Sequence, residues 1–311
     1  MNYKTPIKLR DMIIGLAIAV TLLIFGGLFD FQISSAIYNP SNPNIFGIIM
    51  SGVCELPVCF ALIFGGSLLI RSMIKEQSKV KQVIFIIIAA LAIIAGAYFI
   101  YDTWMDISKF PTTSQFDPKS EDYSSPLLII LGIVFTIAFT LAVLYVGLFS
   151  KKITASKETI FKVGFILVLI CLAIAICTTG LKYLWGRPRP RYIFGFENPS
   201  ELFHPFWQID AFRAFKEEVS DNFKSFPSGH STYAATLIFV LPYITKLSKN
   251  NDEYSKMNTI LFYVGIAYTL VAMFSRMLAG AHFLSDTAMG MFITVLCGSI
   301  ITYTTHLKKI W

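Results

Sequence analysis

The sequence has 311 residues, of which 55% are hydrophobic and only 14% are charged, whereas about 25% of the residues in ordinary soluble domains carry a charge. The formal net charge is +7, the mean hydropathy is +0.64, and the charged residues are clustered between long uncharged runs. This composition excludes an ordinary soluble globular domain and indicates an integral membrane protein. The positive charge is then explained by membrane orientation, and no nucleic-acid partner is expected.

The long uncharged runs define candidate transmembrane spans. A hydrocarbon core about 30 Å thick requires about 20 apolar residues in a helix that rises about 1.5 Å per residue. By this criterion the sequence predicts an all-α protein, a polytopic transmembrane helix bundle with about eight spans. The predicted spans are 12–29, 47–70, 83–101, 127–149, 160–181, 230–247, 259–276 and 285–306.

The positions of the lysines and arginines predict how these spans are oriented. With eight spans and a cytoplasmic N-terminus, most of the 26 basic residues fall in segments on the cytoplasmic side, as the positive-inside rule requires. The loops 30–46 and 102–122 and the segment 182–229 then face outside. Both termini are therefore expected to be cytoplasmic.

Residues 182–229 are the longest segment outside the predicted spans, and loops of this length commonly carry function. The segment begins with a dense basic run, has the aromatic middle FHPFWQIDAFRAF and ends in FKSFPSGHS. Residues 207–218 are compatible with a short amphipathic helix in the membrane interface, with Phe and Trp toward lipid and charged residues toward water.

The basic run KYLWGRPRPR at 182–191 carries the cations Lys182, Arg187, Arg189 and Arg191. Prolines between them favour an extended backbone, so that the cations project from a stiff ribbon. One reading is an anion-binding segment; the other is a set of basic side chains that extend to lipid headgroups. A cluster of this kind is unusual on the side of the membrane that is normally depleted in lysine and arginine.

The pentapeptide PSGHS at 227–231 lies at the start of the sixth predicted span. Ser228 is a favourable N-cap, and Gly229 allows a ligand to approach the backbone closely. Free N–H groups at a helix N-terminus are suited to binding phosphate. The alternative is a serine cap next to an interfacial histidine.

The stretch SRMLAGAHFLSD at 275–286 places Arg276, His282 and Asp286 between two long apolar segments. His282 and Asp286 are four residues apart and share a face if both are helical. A carboxylate in that position fixes the tautomer and orientation of an imidazole. The alternatives are a structural ion pair and a metal site, and the metal site is disfavoured because only His230 is available as a further ligand.

Together these stretches resemble the signature of the type 2 phosphatidic acid phosphatase superfamily, in its integral membrane lipid phosphatase branch. That signature is Lys with Arg-Pro seven residues later, then Pro-Ser-Gly-His, then Ser-Arg followed by His and Asp at fixed spacing. In this sequence the parts read Lys182 to Arg189-Pro190, Pro227-Ser228-Gly229-His230, and Ser275-Arg276 to His282 to Asp286, with no departure.

The resemblance also implies a domain organisation. The family core has six spans, so a single integral membrane domain, 1–311, would contain a phosphatase-like core at 82–306 and extra N-terminal spans at 1–80. The signature motifs within that core lie at 182–190, 227–230 and 275–286.

The resemblance implies metal-independent phosphatase chemistry through a phosphohistidine, with no cofactor. His282 would be the nucleophile, Asp286 the carboxylate that activates it, and His230 the general acid and later the general base. The residues implied to bind the substrate phosphate are Lys182, Arg189, Ser228, Gly229 and Arg276.

The implied substrate is a lipid phosphate monoester or diphosphate, of the phosphatidic acid, phosphatidylglycerophosphate, undecaprenyl diphosphate or lipid A class. The site is expected to lie on the extracytoplasmic face of the membrane, and the membrane is expected to be the bacterial cytoplasmic membrane. One alternative on the same fold is a phosphotransferase with a lipid or sugar acceptor. A second alternative, from another class, is a transporter or binding protein for anionic lipids.

Some polar and aromatic residues lie outside the signature. Glu55 is an intramembrane acid, for which the default hypothesis is a functional site, although Pro57 breaks the helix there and Glu55 could instead lie near the surface. Arg187 and Arg191 are expected either to attract anionic headgroups or only to be solvated. His204 is expected to be an ordinary loop histidine. Phe206, Trp207 and Phe212 are candidates either to line the substrate's approach or to form an interfacial aromatic belt.

Overall fold

The computed structural model describes residues 5–40, 44–74, 76–108, 126–216, 220–248 and 255–307. The regular structure in these ranges is helical, which confirms the predicted all-α class. The helices are α1 (Leu9–Ile37), α2 (Ile45–Val53), α3 (Leu56–Met73), α4 (Lys79–Ser108), α5 (Pro126–Phe149), α6 (Lys157–Trp185), α7 (Pro190–Ile193), α8 (Arg213–Lys216), α9 (Gly229–Ala235), α10 (Leu237–Thr245), α11 (Ser255–Leu278) and α12 (Leu284–Leu307). Two short 3₁₀ turns lie at Pro199–Glu201 and Ser220–Phe223.

Seven helical segments within the described ranges are long and apolar enough to cross a membrane. They match seven of the predicted spans, and the second of them, Ile45–Met73, combines α2 and α3 across a break at Glu55. The remaining predicted span, 230–247, consists of the shorter helices α9 and α10. Thr236 joins these two helices with helical dihedral angles (φ −55°, ψ −30°), so α10 continues directly from α9.

The predicted amphipathic helix at 207–218 is much shorter in the structure, where only α8 is helical and residues 217–219 lie outside the described ranges. The backbone N–H groups of Asp210 and Phe212 donate to the carbonyls of Trp185 and Tyr183 at the end of α6, at 3.0 and 3.2 Å. Phe212 also has a φ of 63°, which a bulky residue in a helix does not adopt. These two backbone N–H groups therefore form their hydrogen bonds with α6 and not within a helix formed by the segment itself.

The helices that carry the motifs pack directly against the N-terminal helices. Helix α1 lies along α12, α3 lies along α6, and α2 packs against α11. Helices α4 and α5 pack against each other and against α3, on the outside of the bundle. Their outward side chains are apolar and exposed, among them Leu91, Leu127 and Tyr145, as expected for a surface in contact with lipid hydrocarbon.

The motifs all lie at one end of this bundle. The last turn of α6, the first turn of α9, the last turn of α11 and the first turn of α12 meet there. Gly280, in the turn between α11 and α12, has a φ of +61°, and a Cβ on it would lie 2.4 Å from the Tyr38 ring, so the turn requires glycine. At the other end of the bundle, Arg71 donates to the carbonyls of Gly147, Ser150 and Ile153.

Candidate active site

The first and second motifs meet where α6 ends and α9 begins. The Lys182 Nζ atom lies 3.5 Å from the point that a Cβ on Gly229 would occupy, so the ammonium group lies beside the first residue of α9. Ser228 is the N-cap of α9, and its side chain accepts a hydrogen bond from the Ser231 backbone N–H at 3.3 Å. The Ser228 N–H donates to the Asp286 carbonyl at 2.9 Å, which joins the second motif to the third.

Arg189 is held by the 3₁₀ turn at 220–223 and by the third motif. Its Nε and Nη2 atoms donate to the carbonyl and carboxylate of Asp221 at 2.8 and 2.9 Å, and its Nη1 lies 3.3 Å from the Ala281 carbonyl. Arg191 also donates to Asp221, at 2.7 Å. The Arg189 guanidinium, followed by that of Arg191, holds the pKa of Asp221 well below its usual range. Asp221 is therefore a carboxylate that orients two arginines.

Arg276, at the end of α11, is almost completely buried and is anchored by a backbone carbonyl from the N-terminal half of the chain. Its Nη1 donates to the Gly47 carbonyl at 2.8 Å. Its Nε has no hydrogen-bond partner among the described residues. A buried guanidinium with an unused donor is suited to binding an anion, because burying a charge without a partner is costly.

His282 is fully buried in the turn before α12. Its Nδ1 lies 2.6 Å from the Ser225 carbonyl oxygen. Because a carbonyl can only accept a hydrogen bond, Nδ1 must carry the proton, and Nε2 then carries the lone pair. Nε2 has no partner within the described ranges. Burial, followed by the nearby Arg189 and Lys182, holds the pKa of His282 well below its ordinary value, so the ring is neutral and its free nitrogen is nucleophilic.

Asp286 lies near His282, but not as the i,i+4 spacing predicts. Its Oδ2 is 3.9 Å from the His282 Nδ1, which is an ion-pair distance and too long for a hydrogen bond. The reason is that α12 begins at Leu284, so His282 precedes the helix and does not share its face. The carboxylate accepts instead from the Ser225 hydroxyl at 2.6 Å and from the Phe283 N–H at 2.7 Å.

His230 faces His282 across the site, with 6.4 Å between the two ring centroids. Its Nε2 lies 3.7 Å from Glu55 Oε1. Glu55 lies at the break between α2 and α3, and its other carboxylate oxygen accepts a hydrogen bond from Thr103 of α4. The structure thus brings the intramembrane acid to the site, although it lies far from the motifs in sequence.

The structure also gives positions beside the site to residues for which the sequence predicted another role or none. Arg187 is fully buried and bonds to Asp30 and Asp286, so neither reading offered for it, headgroup attraction or solvation, is correct. Ser225 contributes through its backbone carbonyl, for which no sequence signal exists. The sequence contains one weak indication for Asp30, which is an acidic residue directly after the predicted span 12–29.

The remaining candidates, His204 and three aromatic residues, lie in the loop between α7 and α8. The carbonyl of His204 accepts from Arg187 Nε at 2.7 Å. Phe206 stacks on Phe226 with 5.8 Å between the ring centroids, whereas Trp207 and Phe212 are exposed. The two exposed rings are suited to an interfacial belt.

An apolar cavity of about 230 Å³ lies between the α2–α3 break and helices α4 and α5. Glu55 is on its wall, and the rest of the lining is mostly apolar, including Ile49, Leu56, Ile100 and Phe135. Because Glu55 also contacts His230, the cavity adjoins the site. Across the described ranges no three His, Cys, Asp or Glu side chains are arranged to hold a metal ion. The expectation of a reaction without metal or cofactor stays a prediction.

The fold and the site define a polytopic helical membrane protein with cations and two imidazoles gathered at one end of the bundle. Residues 162–310, which include all three motifs, match the family model described as the PAP2 superfamily, and the motifs resemble the signature of the same family.

Two curated relatives are similar to the chain. One is "Probable lipid phosphate phosphatase 4" of Arabidopsis thaliana, 28% identical over 132 residues, which cover 42% of this chain and 43% of the relative. The other is "Phosphatidylglycerophosphatase B" of Haemophilus influenzae, 28% identical over 185 residues, which cover 53% of this chain and 74% of the relative. The chain therefore spans less than half of the first relative and about three quarters of the second. No solved structure matches.

Proposed function

We propose that the protein is a membrane lipid phosphatase that hydrolyses a lipid phosphate monoester or diphosphate through a phosphohistidine on His282, without a metal ion. The observation that carries the proposal is the state of His282: its Nδ1 is held at 2.6 Å by the Ser225 carbonyl and its Nε2 has no partner within the described ranges. That nitrogen belongs to a ring that faces the His230 imidazole.

In the first step, the lone pair of His282 Nε2 attacks phosphorus. A P–N bond forms and the bond between phosphorus and the lipid oxygen breaks. His230, in its protonated form, gives a proton to the departing oxygen, as a general acid does. The products are a lipid alcohol, or a lipid monophosphate from a diphosphate, and a phosphorylated His282 beside a neutral His230.

In the second step, neutral His230 takes a proton from water, and the water oxygen attacks phosphorus. The P–N bond breaks, inorganic phosphate leaves and His282 regains its lone pair. His230 is again protonated, so the cycle closes without an external proton donor. The same group serves as acid and then base because the two steps are related by microscopic reversibility.

Lys182, Arg189 and Arg276 bind the phosphoryl oxygens in both steps, together with Ser228 and the Gly229 amide. Phosphoryl transfer depends mainly on positioning and on stabilising charge that is spread over the equatorial oxygens. Three fixed cations and a helix N-terminus serve both purposes for a group with a charge near −2. This is why a metal ion is not needed in the proposed mechanism.

The proposed substrate has a hydrocarbon tail because the site lies at the end of a membrane bundle and adjoins an apolar cavity. The names of the two relatives, which mention a lipid phosphate and phosphatidylglycerophosphate, support the same class. The proposed location of the site is the extracytoplasmic face of a bacterial cytoplasmic membrane, with both termini inside, as the lysine and arginine distribution indicates.

The test is an assay of the purified full-length protein in detergent with phosphatidic acid, phosphatidylglycerophosphate, undecaprenyl diphosphate and lipid A phosphates, each in ¹⁸O-water. We expect inorganic phosphate that carries one ¹⁸O atom, inhibition by vanadate and little effect of EDTA. Phosphate that appears on an added lipid or sugar acceptor, without ¹⁸O, would identify a phosphotransferase instead. Lipid binding without any release of phosphate would support the transporter or binding protein.

A further inference from the structure

Beside His282 lies a buried cluster of three charges: Asp30, Arg187 and Asp286. Arg187 Nη2 lies 2.9 Å from Asp30 Oδ2, and Arg187 Nη1 lies 2.5 Å from Asp286 Oδ1. All three side chains are at most 1% exposed. Asp30 belongs to α1, which lies outside the residues that match the family model.

The hydrogen bonds around Asp30 hold its carboxyl group in position. The Ser285 backbone N–H donates to Asp30 Oδ1 at 2.9 Å. The Ser285 hydroxyl accepts from Arg187 Nη1 at 2.8 Å and donates to Asp30 Oδ2. The Ser285 N–H, the Ser285 hydroxyl and the Arg187 Nη2 therefore all donate to the Asp30 carboxyl group. A carboxyl group surrounded by donors is favoured in its charged form.

The charges of this cluster do not cancel. One arginine and two aspartates leave one net negative charge, and the Asp286 oxygen is 3.9 Å from the His282 Nδ1. If Asp30 were absent, Arg187 would neutralise Asp286 completely. The imidazole would then lie beside a neutral ion pair, with the cations Arg189, Lys182 and Arg276 also nearby.

That difference matters because the ring of His282 gains positive charge during the proposed reaction. When Nε2 bonds to phosphorus while Nδ1 keeps its proton, the imidazole becomes cationic. A negative charge close to the ring stabilises this state more than the neutral ground state, and in a buried site the interaction is only weakly screened.

We propose that Asp30 is a positioning residue that offsets the charge of Arg187, so that Asp286 keeps a net negative charge facing the cationic ring of His282. The inference deepens the proposed function and rests on it. It assigns a role in the reaction to a helix outside the family match, and it explains why Arg187 is paired on both sides.

A purely structural role is the competing explanation, in which the cluster only holds α1 against α12. The chain offers a matched control for it in Asp11, which lies near the other end of the same helix and is equally buried, at 1% exposure. Asp11 pairs with Arg10 at 3.0 Å and accepts a hydrogen bond from Thr259 at 3.2 Å. It lies far from the motifs, so its loss tests packing without changing the charge at His282.

The experiment compares Asp30→Asn, Asp30→Glu and Asp11→Asn with the wild type, as full-length protein in detergent. For each we would measure kcat and KM with phosphatidic acid, the binding of inorganic phosphate and of vanadate by calorimetry, and the thermal midpoint of unfolding. Phosphate reports ground-state binding by the motif cations. Vanadate bonds to the histidine nitrogen in a geometry that mimics the transition state, so its binding reports the charge on the ring without requiring turnover.

For Asp30→Asn we expect kcat and vanadate affinity to fall by about 10- to 100-fold. This estimate is an analogy with residues that hydrogen-bond to metal ligands, whose loss typically has an effect of that size. KM and phosphate affinity should stay within about 3-fold, because ground-state binding is unchanged. Asp30→Glu keeps the charge and should recover most of the lost kcat. Asp11→Asn should change the midpoint of unfolding but neither kcat nor vanadate affinity.

Equal losses of phosphate and vanadate affinity in Asp30→Asn, or equal losses of kcat in Asp30→Asn and Asp30→Glu, would overturn the inference in favour of packing. If Asp30→Asn does not fold, Asp30→Glu distinguishes the two explanations. A role of the Asp30 charge predicts a near-normal kcat for this variant, whereas a role in packing predicts a reduced kcat. A wild type that binds vanadate but releases no phosphate from any lipid would refute the proposed function. The weaker vanadate binding of Asp30→Asn would still support the charge argument in that case.

Discussion

The two halves of the chain both reach the site, but they supply different kinds of group. Residues 162–310 carry the motif cations and both imidazoles, which are the groups expected to touch the phosphate. Residues 5–149 supply acids and a backbone acceptor: Asp30 for Arg187, Glu55 for His230 and the Gly47 carbonyl for Arg276.

This difference shows how a cationic site becomes stable inside a membrane protein. A set of buried positive charges repel one another and lose their hydration, so each needs an acceptor nearby. The family motifs describe the groups that meet the substrate. The acceptors for Arg187, His230 and Arg276 include groups of the N-terminal half, whereas Arg189 is paired with Asp221 of the motif-bearing half. Such positions can be filled from any part of the chain.

The largest expected effect concerns the motif half. Replacing His282 with alanine removes the proposed nucleophile, so we expect the release of phosphate from phosphatidic acid to fall by about 10⁴-fold or more, as for other covalent nucleophiles. The measurement is phosphate release by purified protein in detergent. His204→Ala serves as the control, and its rate should stay within about 2-fold of the wild type. Retention of activity in His282→Ala would remove the basis for a phosphohistidine mechanism.

A motif cation should have the next largest effect. Arg276→Ala removes a buried guanidinium with an unused donor, and we expect the barrier to rise by roughly 2–4 kcal/mol, by analogy with the loss of one oxyanion donor. The effect should fall on kcat/KM and on phosphate affinity together. Arg71→Ala is the matched control, since Arg71 also bonds backbone carbonyls but at the opposite end of the bundle. Equal losses in both variants would indicate a general loss of folding.

Glu55 should have a smaller effect, although it contacts His230, the proposed general acid. Glu55→Gln removes the negative partner of His230, and we expect kcat to fall by about 5-fold, since a partly exposed ion pair contributes about 1 kcal/mol or less. The loss should be greater at alkaline pH, where His230 keeps its proton less easily without a carboxylate. Glu158→Gln, which removes an exposed pair with Lys162, should have no such effect. A pH-independent loss would argue against a role in proton transfer.

The smallest expected effect concerns Asp221, which orients Arg189 and Arg191 but is itself 58% exposed. Asp221→Asn should raise KM by about 3-fold and leave kcat unchanged, because an exposed charge pair is largely screened. The matched control is Asp210→Asn, which removes another partly exposed loop acid paired with an arginine. A change in kcat equal to the change in KM would contradict this assignment.

The lowered pKa of Asp221 also leads to a prediction of how the stability of the wild type depends on pH. Its pKa is lowered in the folded protein, so its contribution to stability is complete above the ordinary value of about 3.9 and is lost as the pH falls below it. Between pH 5 and 8 the contribution should be constant. Thermal unfolding measured from pH 8 down to below pH 4 checks the sign, and Asp221→Asn should show the smaller loss of stability below pH 4.

Much of the fold was predictable, because hydrophobic length is a local property of the chain. Seven predicted spans correspond to long apolar helices. The helix predicted at 207–218 was much too long, because its backbone donors bond to the end of α6, a partner that no local pattern shows. The motif spacing predicted which residues meet at one end of the bundle. It did not predict the relation between His282 and Asp286, since helix α12 begins only after the histidine.

The sequence by itself determined that the protein spans a membrane, and the motifs predicted which residues would gather at one end of the bundle and which of them would bind a phosphate. Only the tertiary structure decided what holds and balances those residues: the Ser225 carbonyl on His282, the pairing of Arg187 between Asp30 and Asp286, and Glu55 beside His230. The physical reason is that apolar length and motif spacing are recorded along the chain. Backbone acceptors and compensating charges act through space, and their partners depend on how the helices pack.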